Sequence, residues 1–122
     1  MNADEVRVVV VDDVRDAAEI LAFSLALDGY KAVTARDAYE ALAVIEEVRP
    51  HCVLLDIDMP GMDGCELSRR LRERYGAAMV LIAVTGWGHE DQRVSAAFAH
   101  FDHYLQKPVA SEVLRSLLPP LH

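Results

Sequence analysis

The sequence predicts an α/β fold: five strands in a parallel sheet with five helices packed on its two faces. Three observations carry this. Apolar runs such as Arg7 to Val11, Val53 to Leu55 and Val80 to Val84 lack period-two alternation, as suits strands buried on both faces. Segments with helical spacing of apolar residues separate those runs, so strand and helix alternate along the chain. Several runs finish on a polar residue, and in sheets of this kind ligands bind beyond the carboxyl ends of the strands.

Each element has a local reason. Arg7 to Val11 is β-branched and ends in Asp12-Asp13. The next segment reads as a helix with Ala17, Leu21, Ser24 and Leu25 on one face, Ile20, Phe23 and Leu27 widening it, and Gly29 stopping it. Ala32 to Ala35 is a short second strand. Asp37 followed by Glu40 fits a capping box, with Ala38, Ala41, Leu42 and Ile45 as the buried stripe of a second helix and Pro50 marking its end. The third strand delivers Asp56, and Met59-Pro60-Gly61 turns the chain out of the sheet.

Asp63 and Glu66 repeat the capping pattern for a helix running to Gly76, with Leu67 and Leu71 inward. Its Arg69, Arg70, Arg72 and Arg74 read as a solvated face. Val80 to Val84 leads into Thr85-Gly86-Trp87-Gly88 and a fourth helix that buries Val94, Ala97 and Phe98. Asp102 to Leu105 is the fifth strand, which Lys107-Pro108 breaks. The last helix buries Val113, Leu114, Leu117 and Leu118 before Pro119-Pro120.

A chain of 122 residues suits one core, so residues 1–122 are expected to form a single domain. The balance of 52% hydrophobic and 26% charged residues argues against disorder, and a formal net charge of -8 disfavours direct nucleic-acid binding. The apolar stretch Val8 to Val11 is too short for a signal core or a membrane span, which predicts a cytoplasmic protein without a membrane partner. Cys52 and Cys65 have no metal-type spacing and read as packing residues.

The strand ends collect the polar residues that a buried sheet does not need: Asp12 and Asp13, Asp56, Thr85 and, just past the fifth strand, Lys107. If the first and third strands are neighbours, three carboxylates converge, and each pair at about 4 Å repels by roughly 4 kcal/mol at an effective dielectric near 20. A hard divalent cation relieves that repulsion, and Mg²⁺ suits an all-oxygen donor set completed by water and phosphate. Around a phosphoryl group Asp56 would be the nucleophile, Lys107 a compact counter-charge and Thr85 a hydroxyl donor. Taken singly, the acids also suit helix amino ends, and Thr85 and Lys107 suit loops. Their joint placement on one sheet edge favours a site.

Together, Asp12-Asp13, Asp56 in Leu-Leu-Asp-Ile-Asp-Met-Pro-Gly-Met-Asp-Gly, Thr85-Gly86 and Lys107-Pro108 resemble the receiver domain of two-component response regulators over nearly the whole chain. The resemblance implies a flavodoxin-like doubly wound sheet in the order 2-1-3-4-5. It also implies phosphotransfer to Asp56 from the phosphohistidine of a histidine kinase or histidine phosphotransfer domain, then hydrolysis. Mg²⁺ or Mn²⁺ would be held by the side chains of Asp13 and Asp56 and the backbone carbonyl of Asp58, with Asp12 acting directly or through water. Thr85 would move toward the phosphoryl group and Tyr104, at the family's switch-aromatic position, would turn inward. That motion would alter a partner face formed by the fourth helix, fifth strand and fifth helix.

The resemblance further implies a cis peptide at Lys107-Pro108. Asp58 and Trp87, two residues beyond Asp56 and Thr85, are expected to flank the site, either governing access of water or standing as a solvated acid and a lid-like aromatic without kinetic effect. His100 stands where the family usually has glycine, and a left-handed backbone there would carry strain.

Other readings compete. Segments Val84 to Asp91 and Phe101 to Leu105 are similar to receivers appended to hybrid sensor kinases, so the chain is expected to be either a stand-alone receiver or one excised from a hybrid kinase or longer regulator. Asp56-Ile57-Asp58 also resembles the nucleophile and general acid of haloacid-dehalogenase-type phosphatases, although the acid pair here precedes the nucleophile. A third alternative is a binding module that keeps the fold and is never phosphorylated.

Overall fold

Five strands, β1 (Arg7–Val11), β2 (Lys31–Ala35), β3 (Cys52–Asp56), β4 (Val80–Thr85) and β5 (His103–Gln106), pair in parallel in the order β2-β1-β3-β4-β5. The computed structural model describes residues 5–57, 64–86 and 100–118. Within them the helices are α1 (Arg15–Leu27), α2 (Ala38–Val48), α3 (Gly64–Tyr75) and a C-terminal α4 (Ser111–Leu117). The helix expected to carry Val94, Ala97 and Phe98 lies outside the described residues, as do Asp63, Met59-Pro60-Gly61 and Pro119-Pro120.

Strand parity explains why the runs are apolar throughout. Val9, Val11, Val53, Leu55 and Leu81 face one core with Ala41 and Ile45 of α2 and Leu67 and Leu71 of α3. Val8, Val10, Cys52, Leu54 and Ile82 face a second core with Ala18 and Leu25 of α1 and Leu114 of α4. With both faces covered there is no solvent side for polar residues to occupy. Burying each such Leu or Ile contributes about 1.5–3 kcal/mol before conformational entropy is counted.

Local chemistry ends the helices. The Asp37 Oδ1 accepts the Glu40 amide at 2.7 Å, as the capping pattern requires, while the Glu40 carboxylate accepts the Arg36 amide rather than that of Asp37. Helix α2 closes on Arg49 in the left-handed region (φ 52°), whose amide donates to the Ile45 carbonyl. Gly29, after α1, has φ 103°, open to glycine and costly for a residue with a Cβ.

Several expectations need correction. Ile20, Phe23 and Leu27 are exposed instead of widening the buried face of α1, and Ala17 is exposed while its neighbour Ala18 is buried. Val113 of α4 is exposed as well, with Leu114 and Leu118 buried. These helices lie on the sheet along one narrow stripe: Ile20, Phe23 and Leu27 stand on the far side of α1 from Ala18 and Leu25, and Val113 stands about a quarter turn from Leu114. Arg72 is not part of a solvated face: its guanidinium donates to the carbonyls of His100, Gly76 and Met79 and pairs with Asp102 at 2.5 Å. Arg69, Arg70 and Arg74 are exposed as expected, Arg74 pairing with Glu46 of α2. Arg49 is a non-glycine residue with a positive φ, whereas the φ of His100 depends on Ala99, so the expectation of strain there lies outside the described residues.

Candidate functional site

Sheet register builds the site. Val11 on β1 pairs with Leu55 on β3, so the residues that follow them, Asp12 and Asp56, emerge side by side at the carboxyl edge. Val84 of β4 pairs with Asp56, and Thr85 pairs with Gln106 of β5, which places Thr85 and Lys107 on the opposite side of Asp56 from β1. Backbone contacts hold these ends in place: the Asp12 amide donates to Ala35 at 3.0 Å and the Lys107 amide to Thr85 at 2.7 Å.

Carboxylate oxygens of Asp12, Asp13 and Asp56 lie within 4.8 Å of one another. Asp56 is only 3% exposed, and the Lys107 Nζ lies 3.0 Å from its Oδ2. The Lys107–Pro108 peptide is cis, and Thr85 is fully buried. The Asp12 Oδ1 accepts the Val14 amide at 2.9 Å at the entrance to α1. Burial pushes the Asp12 carboxyl up to about 6 against the pull of the Val14 amide, with the Asp56 charge and a hydrogen bond to Asp56 adding to the rise and Lys107 opposing it. Asp13 is exposed beside this pair.

Hard oxygen donors of like charge, within 4.8 Å of one another, fit a divalent cation such as Mg²⁺ and do not fit a soft metal. The arrangement can do three things chemically. It presents a buried carboxylate as nucleophile, supplies a cation beside it, and offers oxygen ligands for a metal.

Of the residues foreseen from the sequence, the fold brings Asp12, Asp13, Asp56 and Lys107 together. Thr85 ends the neighbouring strand, and Tyr104 is half-buried on β5 opposite Ala83. Asp58 and Trp87 lie outside the described residues. Sequence reasoning missed a cleft of about 390 Å³ beside the acids, lined by Asp12 and Asp13 together with Arg15, Glu19, Arg36 and Glu40. The available signal was the spacing of two Arg–Glu pairs four residues apart, Arg15 with Glu19 and Arg36 with Glu40.

Comparison with known proteins gives a consistent picture. The family model for the response regulator receiver domain matches residues 8–118. Response regulator MprA from Mycobacterium sp. (strain KMS) is 41% identical over 109 residues, covering 89% of this chain and 47% of that protein. The chain thus spans about half the length of the curated relatives it matches. Among solved structures, a CheY-like receiver domain protein from Methanospirillum hungatei JF-1 is 31% identical with a TM-score of 0.81, covering 92% of this chain and 89% of that one. Response regulator protein TrrA from Thermotoga maritima, solved in complex with Mg²⁺ and BeF, is 30% identical with a TM-score of 0.81, covering 91% and 94%.

Proposed function

This chain belongs to the response regulator receiver domain family, and from that premise we propose that it accepts a phosphoryl group on Asp56 from the phosphohistidine of a histidine kinase or histidine phosphotransfer domain. The observation that carries the reading is Asp56 itself, a carboxylate 3% exposed at the end of β3, with Lys107 at 3.0 Å and two more acids beside it.

In this reading an Asp56 oxygen attacks phosphorus in line. The bond from phosphorus to the imidazole nitrogen breaks as the bond to Asp56 forms, and the donor histidine leaves as neutral imidazole after taking a proton from solvent. Lys107, which balances the resting carboxylate, becomes the counter-charge to a phosphoryl oxygen, as a compact ammonium can without reorientation of the site. The Thr85 hydroxyl donates to a second oxygen. Asp13 and Asp56, the Asp58 carbonyl and Asp12, directly or through water, would hold Mg²⁺ or Mn²⁺, which when bound screens the attacking carboxylate from the incoming anion. The Mg²⁺ in the Thermotoga maritima relative supports that choice of metal.

The same site then loses the phosphoryl group to water, with Asp58 and Trp87 governing access. Movement of Thr85 and inward rotation of Tyr104 convert charge on Asp56 into a change of the partner face expected from the helix that carries Val94, Ala97 and Phe98 together with β5 and α4. The net charge of -8 supports a protein partner over nucleic acid. No helix among the described residues is long and apolar enough to cross a membrane, and membership of the receiver family supports the cytoplasmic reading. We take residues 1–122 as one receiver unit, and relatives of about twice the matched length support the alternative of a receiver excised from a longer regulator or hybrid kinase. The family match over residues 8–118 supports this reading over a dehalogenase-type phosphatase.

Intact mass after incubation with acetyl phosphate tests the proposal. It requires the mass gain of one phosphoryl group with Mg²⁺, none with EDTA, and none in Asp56→Asn. No gain in the wild type, or an equal gain in Asp56→Asn, would contradict it.

A further inference from the structure

We propose that Arg15 and Arg36 form an anion-capture cleft that brings small acyl phosphates to Asp56, a role that rests on the phosphoacceptor reading above. The cleft of about 390 Å³ lies over the ends of β1 and β2. Asp12 and Asp13 line it, and their carboxylates are within 4.8 Å of that of Asp56, so the cleft opens beside the acid cluster that holds the reacting group. Its volume is at the small end of ligand sites, which suits a small phosphodonor.

The charges at the rim supply the selectivity. A dianionic donor approaching a chain of net charge -8 and a cluster of three carboxylates is repelled. Arg15 enters the cleft from α1 and Arg36 from the turn before α2, with side chains 86% and 78% exposed. The Arg15 Nε pairs with the Glu19 Oε1 at 2.9 Å and the Arg36 Nε with the Glu40 Oε2 at 3.4 Å. Exposed pairs at this spacing are weak, so each guanidinium exchanges its glutamate for a phosphoryl group that it grips with two parallel N–H bonds. The displaced glutamates turn to water. The donor then passes from the cleft to Lys107 and Thr85, where transfer breaks the bond between phosphorus and the acyl carboxylate oxygen, forms one to an Asp56 oxygen and releases the acyl carboxylate, with no further reactant required.

Initial rates of mass gain at fixed Mg²⁺ and rising acetyl phosphate test the cleft. Arg15→Gln or Arg36→Gln should raise the half-saturating concentration about threefold and the pair about tenfold, with far less change in the plateau rate. Glu19→Gln and Glu40→Gln should lower it. Phosphoramidate, which carries less net negative charge near neutral pH, should discriminate less between wild type and variants. An unchanged half-saturating concentration, or a fall confined to the plateau rate, overturns the proposal.

Binding is read separately by titrating acetyl phosphate with Mg²⁺ into ¹⁵N-labelled Asp56→Asn protein. The Nε–H signals of Arg15 and Arg36 should move, and their failure to move also overturns the cleft. A wild type that gains no phosphoryl group contradicts the phosphoacceptor reading instead, and the titration still decides whether the cleft binds anions.

Discussion

Replacing Asp12 with Asn should stabilise the metal-free protein, although it removes a residue of the candidate site. In the fold the Asp12 carboxyl is raised from 3.8 to about 6, chiefly by burial, with the Asp56 charge adding to it. Two pKa units correspond to about 3 kcal/mol, which partial solvent exposure reduces to roughly 1–2 kcal/mol. An Asn amide keeps an oxygen for the Val14 amide, now 2.9 Å from the Asp12 Oδ1, and can donate to Asp56 where only a protonated Asp12 does so. Because the folded pKa lies above the unfolded one, the wild type binds more protons when folded, and its stability falls as pH rises from about 4 through about 6. The variant lacks that loss. The gap between the two should therefore be near zero at pH 4 and reach its full size above pH 6, worth roughly 4–8 °C in melting temperature.

Urea unfolding in EDTA across this pH range measures the gap. Adding Mg²⁺ should then reverse the order, since ligand binding stabilises the protein that binds more tightly. A variant that is no more stable than the wild type at pH 7.5 in EDTA, or a gap independent of pH, would refute the view that like charges are held together here at a cost in stability.

Lys107→Met should leave the Asp56 carboxylate, 3% exposed, without its counter-charge, and with Lys107 itself 37% exposed the loss should be about 1–3 kcal/mol in urea unfolding, with slower phosphorylation by acetyl phosphate. Equal stability and rate would remove the ion pair from the account. Arg72→Ala should cost about 1–3 kcal/mol, because the Met79 and His100 carbonyls and Asp102 lose a donor that is only 20% exposed, whereas Arg70→Ala should fall within about 0.5 kcal/mol. Phe23→Ser, on the exposed side of α1, should likewise change stability by less than about 0.5 kcal/mol in the same assay, and a large loss would mean that this face is packed after all.

The sheet and most of the site were legible because buried parallel strands tolerate no polar residue. An acid that closes an apolar run, as Asp56 and Asp12 do, therefore stands out in one dimension. The convergence of the acids needed only the adjacency of β1 and β3, which the order β2-β1-β3-β4-β5 provides. Helix faces were less legible. In α1 nearly every position from Ala17 to Leu27 is apolar, so periodicity could not separate buried Ala18 and Leu25 from exposed Ile20, Phe23 and Leu27. Arg72 was indistinguishable from its neighbours because its partners, His100 and Asp102, lie about thirty residues away in sequence. The Arg15 and Arg36 cleft was hidden for the same reason, since its two walls meet only when β1 and β2 pair.

The central claim is that Asp56 forms an acyl phosphate, and its most direct test is chemical trapping. Borohydride reduces an aspartyl phosphate to homoserine and leaves an unmodified aspartate unchanged. After treatment with acetyl phosphate and Mg²⁺, then borohydride, peptide mass mapping should find homoserine at position 56 and nowhere else. Homoserine at Asp12, Asp13 or Asp58, or at no position in a protein that has gained the phosphoryl mass, would contradict the account.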